Sequence, residues 1–222
     1  DLHSFPTRRS SDLIGGVPVI VRTVRAFLAV EEIDMAYVGI KPDWHEYTNE
    51  LFERFGIDKE RIRVIDGGAD RNGTVMNIAE AIVAEHGKND GDIILTHDAV
   101  RPFVTEKIIK DNIEAMREHS ACGTYMPAVD TIIRSDGEKV RETLNRSELY
   151  QAQTPQTFRL GDLRRNYYSL SEEQNKKLTD TCSVFTACNE DIYLVIGDAL
   201  NFKITTDSDL KMANALAELS EK

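Results

Sequence analysis

From Gly15 onward, short apolar runs alternate with stretches of helical spacing. Ile20, Val24, Phe27 and Leu28 recur at i, i+4, i+7 and i+8 behind Pro18, which suits a first helical turn. Asp34 to Ile40 then reads as a strand, and Tyr47, Leu51, Phe52 and Phe55 mark a second helix closed by Gly56. Arg61 to Ile65 alternates as a strand and leads into the loop Asp66-Gly67-Gly68-Ala69-Asp70-Arg71-Asn72-Gly73-Thr74, followed by a helix on Val75, Ile78, Ile82 and Val83. Ile93, Ile94 and Leu95 form a continuous apolar run of the kind buried on both faces of a parallel sheet. Thr105 is placed to cap the next helix, carried by Ile109, Ile113 and Met116. Repeated strand–helix alternation predicts right-handed crossovers and an α/β, Rossmann-like, mainly parallel sheet with helices on both faces.

The pattern changes in the second half. Gly123 to Arg134 is strand-like, Ser135-Asp136-Gly137-Glu138 is a turn signal, and Lys139 to Thr143 can return as a hairpin partner. Such a hairpin has little core to bury it, so residues 129–150 are expected to project as an arm that pairs with another subunit. Pro155 biases Thr154 toward an extended conformation, and Leu163, Tyr167 and Leu170 mark a helix. Thr179 and Asp180 suit a helix cap, Ile192 to Ile196 a strand, and Phe202 to Thr205 a shorter strand. A last helix carries Leu210, Ala213 and Ala217. Residues 1–13 share none of these periods. They resemble a translated adapter sequence, and are set apart as a foreign-looking, disordered arm in which Arg8 and Arg9 carry no site. Residues 14–222 are expected to form one domain.

Charge narrows the partners. Lys and Arg total 27 against 38 Asp and Glu, a net charge of −11, which argues against a sequence-independent grip on nucleic acid or an anionic membrane. Any anionic ligand must be held by local basic residues. Cys122, Cys182 and Cys188 are odd in number and match no zinc spacing, so thiols in a reducing cytoplasm are expected. No apolar stretch approaches membrane-spanning length, and no signal peptide is visible.

Candidate chemistry gathers where the Ile93–Leu95 run ends. Thr96, His97, Asp98 and Arg101 follow directly, and the carboxyl edge of an open α/β sheet is where ligands bind. Asp98 and Arg101 could equally pair with each other and fix the loop. The segment Gly67 to Thr74 lies between a strand and a helix and can present backbone N–H groups to an anion, with Arg71 adding charge. It matches neither a Walker A sequence nor G-x-G-x-x-G, and a plain turn explains it as well. Lys203, between Phe202 and Ile204, is either a solvent-facing alternation or a charge aimed at a ligand.

Taken together, Thr96-His97-Asp98-Ala99-Val100-Arg101-Pro102-Phe103, Gln153-Thr154-Pro155-Gln156-Thr157-Phe158, Thr179-Asp180 and Asn201-Phe202-Lys203-Ile204-Thr205 resemble the CTP-dependent polyol-phosphate cytidylyltransferases. Within that family, Gly67 to Asn72, Tyr150 to Gln153 and Thr179 to Cys182 are more similar to the D-ribitol-5-phosphate branch than to the 2-C-methyl-D-erythritol 4-phosphate branch. The resemblance implies that Gly67, Gly68, Ala69, Asp70, Arg71, Asn72, Gly73, Thr74 and Ala99 hold the nucleotide. It implies Asp98, Arg101, Thr131, Thr154 and Thr179 around the polyol phosphate, and Arg146 and Lys203 as the catalytic cations. Arg146 would reach a neighbouring subunit's site in a homodimer. Mg²⁺, or another divalent cation, is expected on the CTP phosphates with no protein metal site. A phosphate monoester has its second pKa near ~6, so the nucleophile needs no general base and His97 need not be catalytic. The family opens with a strand and a Gly-rich loop ending in Pro-Lys-Gln where this chain has residues 1–13, so weak or absent turnover is expected of the chain as written. Two other readings follow the same residues: a dimeric nucleotide-binding module without catalysis, and a sugar nucleotidyltransferase that uses another base.

Overall fold

In the structure, a computed structural model, residues 11–220 are described. Arg8 and Arg9 lie outside them, while Leu13 opens β1 (Leu13–Ile14). That strand pairs antiparallel with β2 (Val17–Pro18) across Gly15 and Gly16, whose φ values of 55° and 77° make the left-handed turn that a two-residue hairpin requires. Helix α1 (Val19–Leu28) follows, then β3 (Ala36–Ile40), α2 (His45–Arg54), β4 (Ile62–Asp66) and α3 (Arg71–His86). Next come β5 (Ile93–Thr96), α4 (Glu106–Ala115), β6 (Ala121–Pro127), β7 (Ile133–Ser135), β8 (Val140–Thr143) and β9 (Tyr150–Arg159). The chain ends in α5 (Leu160–Ser169), α6 (Glu172–Asn175), α7 (Cys182–Ala187), β10 (Tyr193–Ile196) and α8 (Asp207–Ser220).

The central sheet has the order β10-β6-β9-β5, and β3 and β4 form a parallel pair of their own. Side-chain alternation divides the central sheet into two apolar faces. Ile94, Ala121 and Phe158 pack with α3, α5 and α7, whereas their neighbours Leu95 and Cys122 turn to the side of α4. Helices thus cover both faces, as the alternation of elements predicts.

Strand direction is more mixed than the parallel expectation. β10 runs parallel to β6, but β9 lies antiparallel between β6 and β5. The reason is the route into it: the chain leaves β6, makes the β7–β8 hairpin and returns alongside β6, and antiparallel neighbours need no crossover helix. Two local readings also change. The stretch from Gly123 to Arg134 is two strands, because β6 stops at Pro127 and β7 begins at Ile133. Phe202 to Thr205 is not a strand; the Ile204 N–H donates to the Val100 carbonyl at 2.9 Å, seating Lys203 beside the loop after β5. The hairpin β7–β8 forms as expected, with every residue of both strands exposed, Ile133 and Val140 included. Among the described residues, no helix is long and apolar enough to cross a membrane.

Candidate active site

The loop after β5 gathers onto one carboxylate its own Arg101 and a cation from each of two distant segments. Asp98 Oδ2 lies 3.1 Å from Arg101 Nε and 3.3 Å from Lys203 Nζ, while its Oδ1 lies 3.7 Å from Arg71 Nε. Asp98 and Arg101 therefore do pair, but the pair is part of a four-residue cluster in which the carboxylate is only 14% exposed. Burial alone would raise the Asp98 pKa; Lys203, Arg71 and Arg101 outweigh it and hold the carboxyl down at about 2. Arg101 also donates from Nη1 to the Asn201 carbonyl at 2.8 Å, and Asn201 Nδ2 donates to the Thr154 carbonyl at 2.8 Å. The residues of the β5 loop, β9 and the Asn201–Thr205 segment thus share one hydrogen-bonded floor.

His97 is part of that floor, with both ring nitrogens engaged. Nε2 lies 3.1 Å from the Arg101 carbonyl, which can only accept, so Nε2 carries the proton. Nδ1 must then accept from the Thr154 hydroxyl at 3.0 Å, and that hydroxyl accepts from the Asp98 N–H at 3.1 Å. The ring also packs on Phe27, with centroids 4.8 Å apart. Burial holds the His97 pKa down at about 4, so the ring is neutral at physiological pH and has no free nitrogen for base catalysis. The unfolded chain takes up a proton near 6.5 and the folded one only near 4, so folding stability falls as pH drops through that window. The expected loss is about 2 to 3 kcal/mol. Chemical denaturation between pH 7 and 4 checks this, and His97→Gln should flatten the slope; parallel slopes for the two proteins would count against it.

The Gly67–Thr74 loop is folded by its own side chains. The Gly67 N–H donates to the Ile40 carbonyl at 2.7 Å, and the Gly68 N–H to Thr74 Oγ1 at 2.9 Å. Thr74 Oγ1 in turn donates to the Asp70 carbonyl at 2.9 Å. Asp70 caps α3 by accepting the Gly73 N–H at 2.7 Å. A Cβ on Gly68 would come within 2.3 Å of Gly73 backbone, so this crossing of the loop admits only glycine. Ala69 is exposed on the rim, and Asn72 is buried beneath it. Ala99 is half-buried, its carbonyl accepting from Thr23 Oγ1 at 2.8 Å. The loop faces the floor through Arg71, which contacts both Asp98 and, from Nη1, the Thr181 hydroxyl at 2.6 Å.

Three predicted residues stand apart from this cluster. Thr131 is exposed on the way into the β7–β8 hairpin. Arg146, exposed in the turn before β9, donates from Nη1 to the Val129 carbonyl at 2.6 Å. Thr179 is also exposed, its N–H donating to Ser183 Oγ at 3.2 Å. Conversely, Gln153, Gln156, Thr181 and Asn201 are buried supports of the site that pattern reading did not assign. Gln153 and Gln156 stand in the polar run Gln153-Thr154-Pro155-Gln156-Thr157, and Thr181 and Asn201 in loops, so no apolar period marks any of the four as buried.

Comparison with known proteins bears directly on this geometry. The family model described as IspD, 2-C-methyl-D-erythritol 4-phosphate cytidylyltransferase, matches residues 10–218. The chain belongs to this family. It is an α/β nucleotidyltransferase of the cytidylyltransferase type. Across 98% of its length it is 41% identical to the ribitol-5-phosphate cytidylyltransferase of Lactiplantibacillus plantarum, covering 93% of that protein. The crystal structure of Francisella tularensis 2-C-methyl-D-erythritol 4-phosphate cytidylyltransferase superposes with a TM-score of 0.81 at 27% identity, covering 95% of this chain and 93% of that one. The 4-diphosphocytidyl-2C-methyl-D-erythritol synthase of Anaerococcus prevotii gives a TM-score of 0.79 at 28% identity, covering 93% and 88%. The β5 floor and the Gly67–Thr74 loop both lie inside the matched span.

Proposed function

We propose that the protein joins CTP and D-ribitol 5-phosphate to give CDP-ribitol and pyrophosphate. The observation that carries this reading is the convergence of Lys203, Arg101 and Arg71 on Asp98, three cations from separate segments held at one sheet edge. A phosphate oxygen of the polyol attacks the α-phosphorus of CTP; the new P–O bond forms as the bond to the β-phosphate breaks, and pyrophosphate carries off the electron pair. Near neutral pH the attacking phosphate is largely a dianion, so no proton has to be removed. The work left to the protein is to bring two polyanions together in line, and fixed cations do that. Lys203, 41% exposed, is free to turn from Asp98 toward the polyol phosphate, while the more buried Arg101 holds the floor. Arg71, Gly67 to Thr74 and Ala99 lie on the nucleotide side and Thr154 on the polyol-phosphate side; Thr131 and Thr179, exposed and apart from the Asp98 cluster, are implied contacts that one chain does not bring to it.

Both Asp98 oxygens face cations, so the one carboxylate in the cluster is already engaged. That donor set fits a Mg²⁺ carried in on the triphosphate, with no protein cage around it. When bound, the ion supplies charge neutralisation on the leaving pyrophosphate. Arg146, on the exposed hairpin arm, completes the site of a second subunit in a homodimer, and a CTP-consuming reaction belongs in the cytoplasm. Preference for ribitol over methylerythritol rests on the 41% identical relative.

Competing D-ribitol 5-phosphate against 2-C-methyl-D-erythritol 4-phosphate, with CTP, UTP, GTP or ATP, tests the assignment by mass detection of the products. We expect CDP-ribitol with kcat/KM at least about tenfold above any other pair, the discrimination one or two buried hydrogen bonds supply. A faster reaction with the methylerythritol substrate, or with another base, would overturn it.

A further inference from the structure

We propose that Thr181 is a positioning residue for Arg71, and that its hydroxyl fixes the direction in which that guanidinium meets the nucleotide. The inference rests on reading Arg71 as a nucleotide-side group, and it concerns a residue with no role in the reading above.

The geometry leaves little freedom. Thr181 is 1% exposed and sits immediately before α7. Its N–H donates to Gln156 Oε1 at 3.1 Å, so the backbone is pinned to β9. Gln156, also buried, spends its amide on Asp180, and Asp180 Oδ1 accepts the Ser183 N–H at 2.9 Å. The Asn72 amide donates to the Asp180 carbonyl at 3.3 Å, which turns Asn72 Oδ1 toward Thr181. The Thr181 hydroxyl must donate its one proton to that oxygen, 3.2 Å away. Its lone pairs are left for Arg71 Nη1 at 2.6 Å, and guanidinium can only donate. Every role in this chain of bonds is therefore determined, and reversing any one of them would leave a buried polar group unpaired.

The consequence is a two-point mount for Arg71. Asp98 attracts Nε from the floor side at 3.7 Å, and Thr181 holds Nη1 from the side of α7. The ion pair supplies attraction with little direction, whereas the hydroxyl supplies direction. Thr181 is 110 residues from Arg71 in sequence, and it couples the placement of the nucleotide loop to β9, the strand that also carries Thr154.

A double-mutant cycle read as CTP affinity by calorimetry, with kcat and both KM values measured alongside, tests this. Thr181→Val, which keeps shape and removes the hydroxyl, should weaken CTP binding about tenfold, the value of one hydrogen bond to a charged group. Thr181→Ser should restore it to within about threefold, and in an Arg71→Met background Thr181→Val should change affinity less than about twofold. KM for the polyol phosphate should stay near its wild-type value. Equal losses from Thr181→Val with and without Arg71, or no loss at all, would overturn the proposal. If Thr181→Val does not fold, Thr181→Ala, which leaves room for a water, runs the same cycle. The product competition tests the polyol assignment and the cycle tests Thr181, so the two readings can fail separately.

Discussion

Asp98→Asn is expected to lower kcat by about 10² to 10³ while leaving KM for the polyol phosphate unchanged or lower. The carboxylate is no ligand for a phosphate; it is the counter-charge that keeps Lys203, Arg101 and Arg71 in register. Amide replacement keeps the shape and removes that charge. Ground-state binding of a dianion then meets three cations with nothing opposing them, so affinity does not suffer. Transition-state stabilisation does, because it depends on where the cations point when charge moves to pyrophosphate. Arg101 retains the Asn201 carbonyl, but its side chain is only 11% exposed, and a buried cation that loses its partner costs about 3 kcal/mol of stability. A melt at pH 7 beside the kinetics separates the two effects. Retention of kcat within about threefold would sink the idea that Asp98 organises the site.

The parts of this site that were legible in the sequence are those made by neighbours. The apolar run of β5 followed by Thr96, His97, Asp98 and Arg101 marks a sheet edge, because strand end and polar cluster lie within one short segment. The loop before α3 is legible for the same reason: Asp70 caps a helix three residues ahead of Gly73, and its glycines lie where backbone crosses backbone. What local pattern hides is the antiparallel β9. Its buried residues include Gln153, Thr154, Gln156 and Thr157, which read as surface until their partners are known. Those partners are Asp198, His97, Asp180 and Asn112, each more than 20 residues away. A segment of polar side chains becomes core only when distant groups satisfy it, and period-2 or period-3.6 patterns carry no record of that. Lys203 was ambiguous for a related reason. Its exposure and its contact with Asp98 are both real, since a long side chain can lie in solvent along its stem and still end at a buried carboxylate.

Arg146 is the residue whose place cannot be read from one chain, and mixing two inactive variants decides it. Lys203→Met and Arg146→Ala should each cut turnover by about 10² or more as pure proteins. If Arg146 serves the partner's site, a mixed dimer holds one site that has lost both cations and one that has lost neither. Equal amounts of the two variants, unfolded together and refolded to randomise the subunits, give mixed dimers in about half of the population, so about a quarter of wild-type activity returns. If Arg146 serves its own subunit, each site in every dimer lacks one cation and nothing returns. The arm favours the first outcome: every residue of β7 and β8 is exposed and so is Arg146, which is tied to the Val129 carbonyl and not to the Asp98 cluster of its own chain. A hairpin that leaves apolar side chains such as Val140 in solvent would gain stability by lying against a second subunit, which is what the first outcome requires. Refolded mixtures that stay as inactive as their components, with dimers confirmed by light scattering, would show that the site is completed within one subunit.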